Sequence, residues 1–543
     1  IIVAVAGPLL LAATLTAVVR AWARRSGFVD RPHAHKKHDR PVALGGGIAI
    51  FVGIVAPLLL GTVTAYLLHA GEVPSFVPTL VCDHLPGMAS KLPVVVALYR
   101  LFPRRGRHWL LLVASYVFYG AWDWRFLGLL AVSTITDYTV GRRLAGTENE
   151  RSRRLLLLVS LGVNLGILAT FKYYGFFVDG LQDLLAGVGL EPNFGTLELV
   201  LPVGISFYTF QTLGYTIDVY RRDVEACRDP VVFAVYVAYF PQLVAGPIER
   251  AQRLIPQLDR ATTELDATRV TSSLALILGG LTKKVVLADQ LAPIVVQAFS
   301  GESTTTVSAI VGAVAFAGQI YGDFSGYTDI ARGSSRLLGV ELVENFREPY
   351  LSLSITAFWR RWHMSLSQWL RDYLYIPLGG NRGSSFATSR NLMITMLLGG
   401  LWHGAAWTFV VWGGLHGLYL LVERLLGIDR RRWSWWQQPF ALLWTFSLVL
   451  FAWVFFRSPD IGAAWEYLGG LLRWGGWDLP AGDWAWFGLA TAGLLAHDLL
   501  RPHLHRNSVV RRPILSGMLA GTAAVAIVVV SGGTSVPFIY FQF

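Results

Sequence analysis

The sequence predicts an all-α polytopic membrane protein. Long apolar runs recur along its 543 residues, at 1–21, 48–68, 155–170, 305–320, 440–456 and 518–530. Several reach or approach the roughly 20 residues a helix needs to cross a bilayer. Charged residues make up 15% of the chain and hydrophobic ones 54%, whereas a soluble domain carries about 25% charged residues. Lys and Arg gather in short clusters between the runs, as cytoplasmic loops require. Together these observations imply about 11–14 spans and re-entrant pieces, because irregular backbone survives at membrane depth only inside protein or along a water-filled cavity. The 20 Trp, 20 Tyr and 30 Phe suit membrane interfaces and crowded internal cavities.

The formal net charge is +11. Since that excess belongs to loops beside spans, it points to membrane lipid and to no nucleic-acid partner. The two cysteines, Cys82 and Cys227, are far apart and show no metal-binding spacing, so neither a disulfide framework nor a metal site is expected. The chain opens on Ile1 rather than Met and reads as a trimmed or partial chain, its first apolar run behaving as a span and not as a cleaved signal.

Charge placement orders the elements. The stretch 20–40, with Arg24, Arg25, Arg31, Lys36, Lys37 and Arg40, is placed inside. Residues 69–88 carry Glu72 and Asp83 but no Lys or Arg, so they lie outside. Arg100 to Arg107 is inside again, Asp123-Trp-Arg125 outside, and Arg142 to Arg154 inside. Gly71, Pro74, Pro78 and Pro86 break the apolar pattern and divide the chain into a two-span unit, 1–85, and a larger unit, 86–543. Trp474 to Trp486 reads as an interfacial Trp/Gly-rich loop, and the segment after Arg512 as one more span.

In the first unit, the stretch 27–47 (Gly-Phe-Val-Asp-Arg-Pro-His-Ala-His-Lys-Lys-His-Asp-Arg-Pro-Val-Ala-Leu-Gly-Gly-Gly) resembles the first cytoplasmic loop of polyprenyl-phosphate N-acetylhexosamine-1-phosphate transferases. The resemblance covers only about residues 1–70. Those enzymes hold magnesium on an Asp-Asp pair, and the chain contains no Asp-Asp dipeptide. The unit therefore reads as a truncated, non-catalytic module, with His33, His35 and His38 in a solvated positive loop able to meet anionic lipid head groups.

Four segments of the second unit carry the chemistry. In the first, 201–221, Pro202 and Gly204 would bend or start a helix. Ser206, Thr209, Gln211 and Tyr215 place polar groups on that apolar helix, for bonds to neighbouring helices or for a cavity lining. In the second, 240–250, Pro241, Gly246 and Pro247 exclude a regular helix and require burial in protein. In the third, 321–332, Asp323 and Asp329 sit six apart, a poor spacing for one helix face; helix capping and pairing to Arg332 are expected. The fourth runs from Asn345 through Phe358-Trp-Arg-Arg-Trp-His363 and Asp372 to Arg382, then to Gly399-Gly-Leu-Trp-His403-Gly-Ala-Ala-Trp407 and His416.

His403 and His363 stand out. An ionisable side chain at membrane depth is costly and usually has a task, and histidine is the side chain best suited to moving a proton near neutral pH. At 40 positions apart (403 − 363), they lie on different elements and can face one cavity. Trp362, Trp402 and Trp407 can wall that cavity, and Arg360 and Arg361 can meet an anionic donor or polysaccharide or anchor the interface. His416, after Gly413-Gly414, reads as structural.

In order, Asp-Phe-Ser-Gly-Tyr-Thr-Asp, Phe-Trp-Arg-Arg-Trp-His and Leu-Trp-His-Gly, together with Leu-Tyr-Arg-Leu-Phe-Pro-Arg-Arg at 98–105 and Tyr119-Gly-Ala-Trp-Asp-Trp-Arg-Phe126, resemble membrane-bound O-acyltransferases of the bacterial alginate O-acetyltransferase branch. The resemblance extends from about residue 90 to 543. It implies a ring of tilted helices around a tunnel through the membrane, His403 as the central catalytic histidine and His363 as the second. It also implies a multi-pass protein of the bacterial inner membrane, an exported polysaccharide acceptor and a separate extracytoplasmic acetyl-carrier or acetyltransferase partner. No bound cofactor is expected; acetyl-CoA suits a cytoplasmic face as acyl donor, although no nucleotide motif singles it out. Two other classes fit parts of the sequence. A transporter or scaffold would also suit a polar tunnel, but transporters show paired halves or broken-helix repeats, which the sequence lacks. A sugar-1-phosphate transferase is opposed by the missing Asp-Asp.

Overall fold

A computed structural model describes residues 29–30, 42–43, 85–190, 200–260, 266–301, 304–477, 479–506 and 527. Apart from a two-residue antiparallel pairing of Val29–Asp30 with Val42–Ala43, the described regular structure is helical. The first two expected spans lie outside the described residues, the four paired residues belonging to the loop between them, and of the span after Arg512 only residue 527 is described.

The helices α1 (Leu85–Leu101), α2 (Arg104–Asp123), α3 (Leu127–Ala145) and α4 (Glu150–Leu168) turn back on one another at the expected charged clusters. Asp123 caps the 3-10 turn Trp124–Phe126 by accepting from the Arg125 N–H, and Asn149 caps α4. A π-helical turn, Ala169–Tyr173, joins α4 to α5 (Tyr174–Ala186). The next helices are α6 (Ile205–Arg221), α7 (Pro230–Ala238), α8 (Ala251–Arg260) and α9 (Ala267–Leu281); a second π turn, Thr282–Ala288, leads into α10 (Asp289–Ala298). Then come α11 (Thr306–Leu337), the short α12 (Ile355–Trp359) and α13 (Met364–Leu370), α14 (Ser385–His403), α15 (Trp407–Leu425), α16 (Gln438–Arg457), α17 (Ile461–Gly469) and α18 (Ala481–Arg506).

Among the described residues, four helical stretches are both long and apolar enough to cross a membrane: 150–186, 268–298, 306–337 and 438–457. The remainder are shorter or carry buried polar groups. Three of the four stretches hold the apolar runs at 155–170, 305–320 and 440–456, and the runs at 1–21, 48–68 and 518–530 lie outside the described residues apart from residue 527. Burial ranks the four: 78% of the most apolar window of α11 is buried inside the protein, against 17% for 150–186. Thus α11 is the central helix, while α4 presents Leu155, Leu158, Val159 and Leu165 outward, as a lipid-facing surface requires.

Close helix contacts rest on glycine. A Cβ at Gly280 would lie 2.5 Å from the Gly326 carbonyl oxygen, and one at Gly326 would lie 2.7 Å from that of Gly280, so α9 and α11 touch backbone to backbone. Gly400 and Gly413 do the same for α14 and α15: their added Cβ atoms would fall 2.2 Å from the Phe409 oxygen and 2.3 Å from the Met396 oxygen. Such small-residue crossings drive association where lipid offers no hydrophobic gain.

Buried polar groups are networked. Asp137 on α3 accepts from Asn164 Nδ2 at 2.8 Å and Thr216 Oγ1 at 2.9 Å, and also from Ser160. The acidic motif of α11 departs from expectation. Asp323 caps no helix, because α11 continues unbroken through it to Leu337. Instead, Lys284 bridges Asp323 (3.0 Å) and Asp289 (2.7 Å), while Lys283 pairs with Asp329, which also meets Arg332 at 3.3 Å as expected. The two carboxylates thus meet two successive lysines of the second π turn, and the six-residue spacing matches that arrangement.

Candidate active site

His403 is the last residue of α14, where Gly404 turns the chain into extended backbone (φ −160°). Glycine is needed at 404 because a Cβ there would meet the Phe409 ring at 2.0 Å. The Gly400–Gly413 contact presses this end of α14 against α15, and the His403 ring is held between Trp412 (5.0 Å between centroids) and Phe456 (5.3 Å).

His363 reaches the same place from another direction. It is the N-cap of α13 and has left-handed backbone, φ 43° and ψ 53°, a conformation that costs a non-glycine residue about 1–3 kcal/mol and collects at functional sites. Asn345 holds the turn: its carbonyl oxygen accepts from the Met364 N–H (2.9 Å), and its Oδ1 accepts from the Ser365 N–H (3.1 Å) and hydroxyl (2.9 Å). Upstream, the Glu423 carboxylate accepts from the N–H of Ile355 and Thr356, fixing the start of α12. His363 is fully buried (0% exposed). Neither of its ring nitrogens meets a hydrogen-bond partner among the described residues, although buried polar atoms almost always have one.

The two imidazoles lie 6.4 Å apart, their planes 70° to each other. Trp402 touches both, at 6.0 Å from His363 and 5.0 Å from His403. Phe207 stacks over His363 at 6.3 Å, and Phe324 meets it edge-on at 4.8 Å. His403 opens on a cavity of about 350 Å³ walled by Trp122, Lys172, residues 200–207, Val244 and Trp402. Gly204 shapes its rim: with φ +75° and Leu243 O only 2.6 Å from where a Cβ would stand, it admits no side chain, and α6 starts there as Pro202 and Gly204 led one to expect.

Lys172, in the first π turn, escaped the sequence reading. Its Nζ donates to the carbonyl oxygens of Trp402 (2.7 Å) and His403 (3.0 Å) and to Ser206 Oγ (3.2 Å). Its neighbour Tyr173 donates its hydroxyl to Leu401 O at 2.9 Å. These are among the last carbonyls of α14, which have no partner within the helix. The available signal was a lysine two residues past an apolar run, immediately followed by two tyrosines.

The other expected lining residues are dispersed. Trp402 lines the cavity. Trp362 is buried behind His363, stacked on Phe358 at 5.6 Å and edge-on to Trp453 at 5.2 Å. Trp407 is 60% exposed and leans on Phe176. Arg360 is exposed and Arg361 half-buried; neither borders this cavity. Gln211 donates to Tyr236 O and accepts from Gln242 Nε2 at 3.0 Å, and the Tyr215 hydroxyl accepts from the Cys227 N–H at 3.1 Å. Both serve the α6–α7 contact rather than this cavity. Asp323 sits in the lysine network described above. His416 accepts from Trp359 Nε1 at 3.3 Å, a packing role.

A buried imidazole beside a cavity, with a second imidazole 6.4 Å away, is an arrangement able to move a proton between bound groups. Comparison with known proteins gives the family. The membrane-bound O-acyltransferase family model matches residues 229–458. The chain is 47% identical over 390 residues to the probable alginate O-acetylase AlgI of Azotobacter vinelandii, covering 72% of this chain and 77% of that protein. It is 36% identical over 400 residues to the peptidoglycan O-acetyltransferase of Helicobacter pylori, covering 68% and 74%. It is also 28% identical over 315 residues to the teichoic acid D-alanyltransferase of Streptococcus thermophilus, covering 50% and 72%. The chain belongs to the membrane-bound O-acyltransferase family. It is a polytopic membrane acyltransferase, as its sequence motifs implied.

Proposed function

We propose that this chain moves an acyl group, in the first instance acetyl, onto hydroxyls of an exported polysaccharide at the bacterial inner membrane, with His403 as general base. The observation that carries the reading is His403, buried at the end of α14 yet open to the 350 Å³ cavity, with His363 at 6.4 Å. In the reaction, the neutral ring of His403 takes the acceptor's O–H proton as the oxygen attacks the acyl carbonyl carbon. The tetrahedral intermediate collapses, the acyl–sulfur bond of a thioester donor breaks, and the proton passes from His403 to the departing thiolate. The histidine ends as it began. His363, whose ring nitrogens meet no partner among the described residues, supplies a hydrogen bond to the developing oxyanion or to the bound acyl group.

Charge placement supports a side for each substrate. The cavity is bordered by Trp122, next to the Asp123–Arg125 turn that the loop charges put outside, and suits an extracytoplasmic acceptor. On its other side, His363 packs against Phe346, which borders a small polar cavity lined by Lys283, Asp329, Arg332 and Asn345. The acyl donor in this reading is a thioester arriving from the cytoplasm, such as acetyl-CoA. The relatives are named for alginate, peptidoglycan and teichoic acid, so the acceptor class is an envelope or exported polymer, with alginate favoured by the 47% identity. An extracytoplasmic acetyl-carrier or acetyltransferase protein is the partner this division of labour calls for.

The test is ester analysis of the producer's exported polysaccharide, with the gene deleted and restored. Loss of O-acetyl on deletion and its return on restoration are expected. Normal ester content with altered export would contradict acyl transfer and favour a transporter.

A further inference from the structure

We propose that Lys172 is a positioning residue for His403: the first π turn inserts a cation that locks the end of α14 and thereby sets the geometry of the base. This inference rests on the acyl-transfer reading above and adds a residue that acts through His403.

Three observations carry it. First, the three protons of the Lys172 ammonium match three acceptors on two different elements, Trp402 O and His403 O on α14 and Ser206 Oγ on α6. A lysine serving only as a membrane anchor would reach toward water, whereas this one spends its donors inside. Second, the π turn changes the helical phase between α4 and α5, so that Lys172 and Tyr173 both address α14, at carbonyls 401, 402 and 403. Single π turns inside α-helices occur frequently at functional sites. Third, Lys172 borders the cavity that exposes His403, and its Nζ lies 5.8 Å from the Trp402 ring centroid, the ring that touches both histidines.

The energetics point the same way. A cation suits a helix C-terminus, and an ammonium brings three donors to these three acceptors at once, although a cation at membrane depth is costly. Its value lies in fixing His403. The helix ends at this residue and the following Gly404 is extended, so no further turn of helix restrains the imidazole. Without Lys172, the end of α14 can fray and the ring leaves the line of attack, where a displacement of about 1 Å can cost about 100-fold in rate.

The experiment uses the full-length protein in its own producer, with the chromosomal copy replaced. Ester content of the exported polysaccharide is measured together with membrane abundance and melting temperature. The purified protein is then treated with diethyl pyrocarbonate, and modification of His403 and His416 is followed by mass spectrometry. For Lys172→Met the expected result is a fall in ester content of about 10- to 100-fold at normal abundance and melting, faster modification of His403, and unchanged modification of His416. Lys172→Arg, which keeps a cationic donor, should restore most of the esters. Should Lys172→Met accumulate poorly, Lys172→Gln, a neutral donor of similar length, carries the same test with a severalfold loss expected. Wild-type ester content in the neutral variants, or unaltered His403 modification, would overturn the proposal. His403→Ala runs in parallel: retained esters there would instead overturn the acyl-transfer reading itself.

Discussion

His363 sits in a backbone conformation that its own side chain disfavours, φ 43°. It stays there because Asn345 bonds to both residues that follow it. Asn345→Ala removes a buried acceptor serving the Ser365 N–H and hydroxyl, a loss worth about 1–3 kcal/mol. The expected outcome is a modest fall in melting temperature with a tenfold or greater fall in polysaccharide ester content, measured on membranes of matched abundance. Full activity would show that the left-handed turn has no part in the site. At this scale the sequence was informative about chemistry and less so about partners. His403 and His363 were legible because a histidine within Trp- and Gly-rich apolar sequence is an anomaly. Lys172 was not, because a lysine just beyond an apolar run reads as an interfacial residue, and only the π turn shows that it points inward. Gln211 and Tyr215 were visible as polar groups on an apolar helix. Nothing in one sequence could tell that residues 205–216 are buried on every side, so that their polar groups turn to α7.

Elements meet here through glycine, and the prediction at this scale follows from where a methyl group would fall. Gly400→Val places atoms against the Phe409 carbonyl, 2.2 Å from the Cβ position, and against Gly413. A cost of about 3 kcal/mol or more is expected, with loss of folded protein on detergent size-exclusion chromatography. Gly162, in α4, has nothing within 4 Å of an added Cβ. Gly162→Ala should therefore be neutral or stabilising by up to about 1 kcal/mol, read as an unchanged or raised melting temperature. Equal effects of the two changes would contradict the packing described. Helix starts were partly legible: Pro202 with Gly204 marked the beginning of α6, and Pro241, Gly246 and Pro247 marked the buried irregular stretch after α7. The motif Tyr321–Arg332 misled because the apolar run before it ended at 320. The helix continues to Leu337 because lysines on the second π turn neutralise its carboxylates, a tertiary effect that no local pattern carries.

For the whole molecule, the expected topology is its most testable property. The turns at Asp123–Arg125 and Arg142–Arg154 belong to opposite ends of α3, and loop charge places the first outside and the second inside. In a cysteine-free background, Arg125→Cys should react with a membrane-impermeant maleimide on intact spheroplasts, and Arg151→Cys only after permeabilisation. The reverse pattern would put the His403 cavity on the cytoplasmic side and remove the acceptor route. The fold class was readable from composition because a bilayer leaves few choices: helices, apolar where they meet lipid. Individual helices were less readable, because one shielded by other helices, such as α6 with Ser206, Thr209 and Gln211 buried along it, need not be apolar all round.

The central claim is that His403 is the base for acyl transfer. The most direct measurement is the O-acetyl content of the exported polysaccharide from a producer carrying His403→Ala at wild-type membrane abundance and melting temperature. The account expects esters to fall to the level of the gene deletion. Ester content equal to wild type would contradict it.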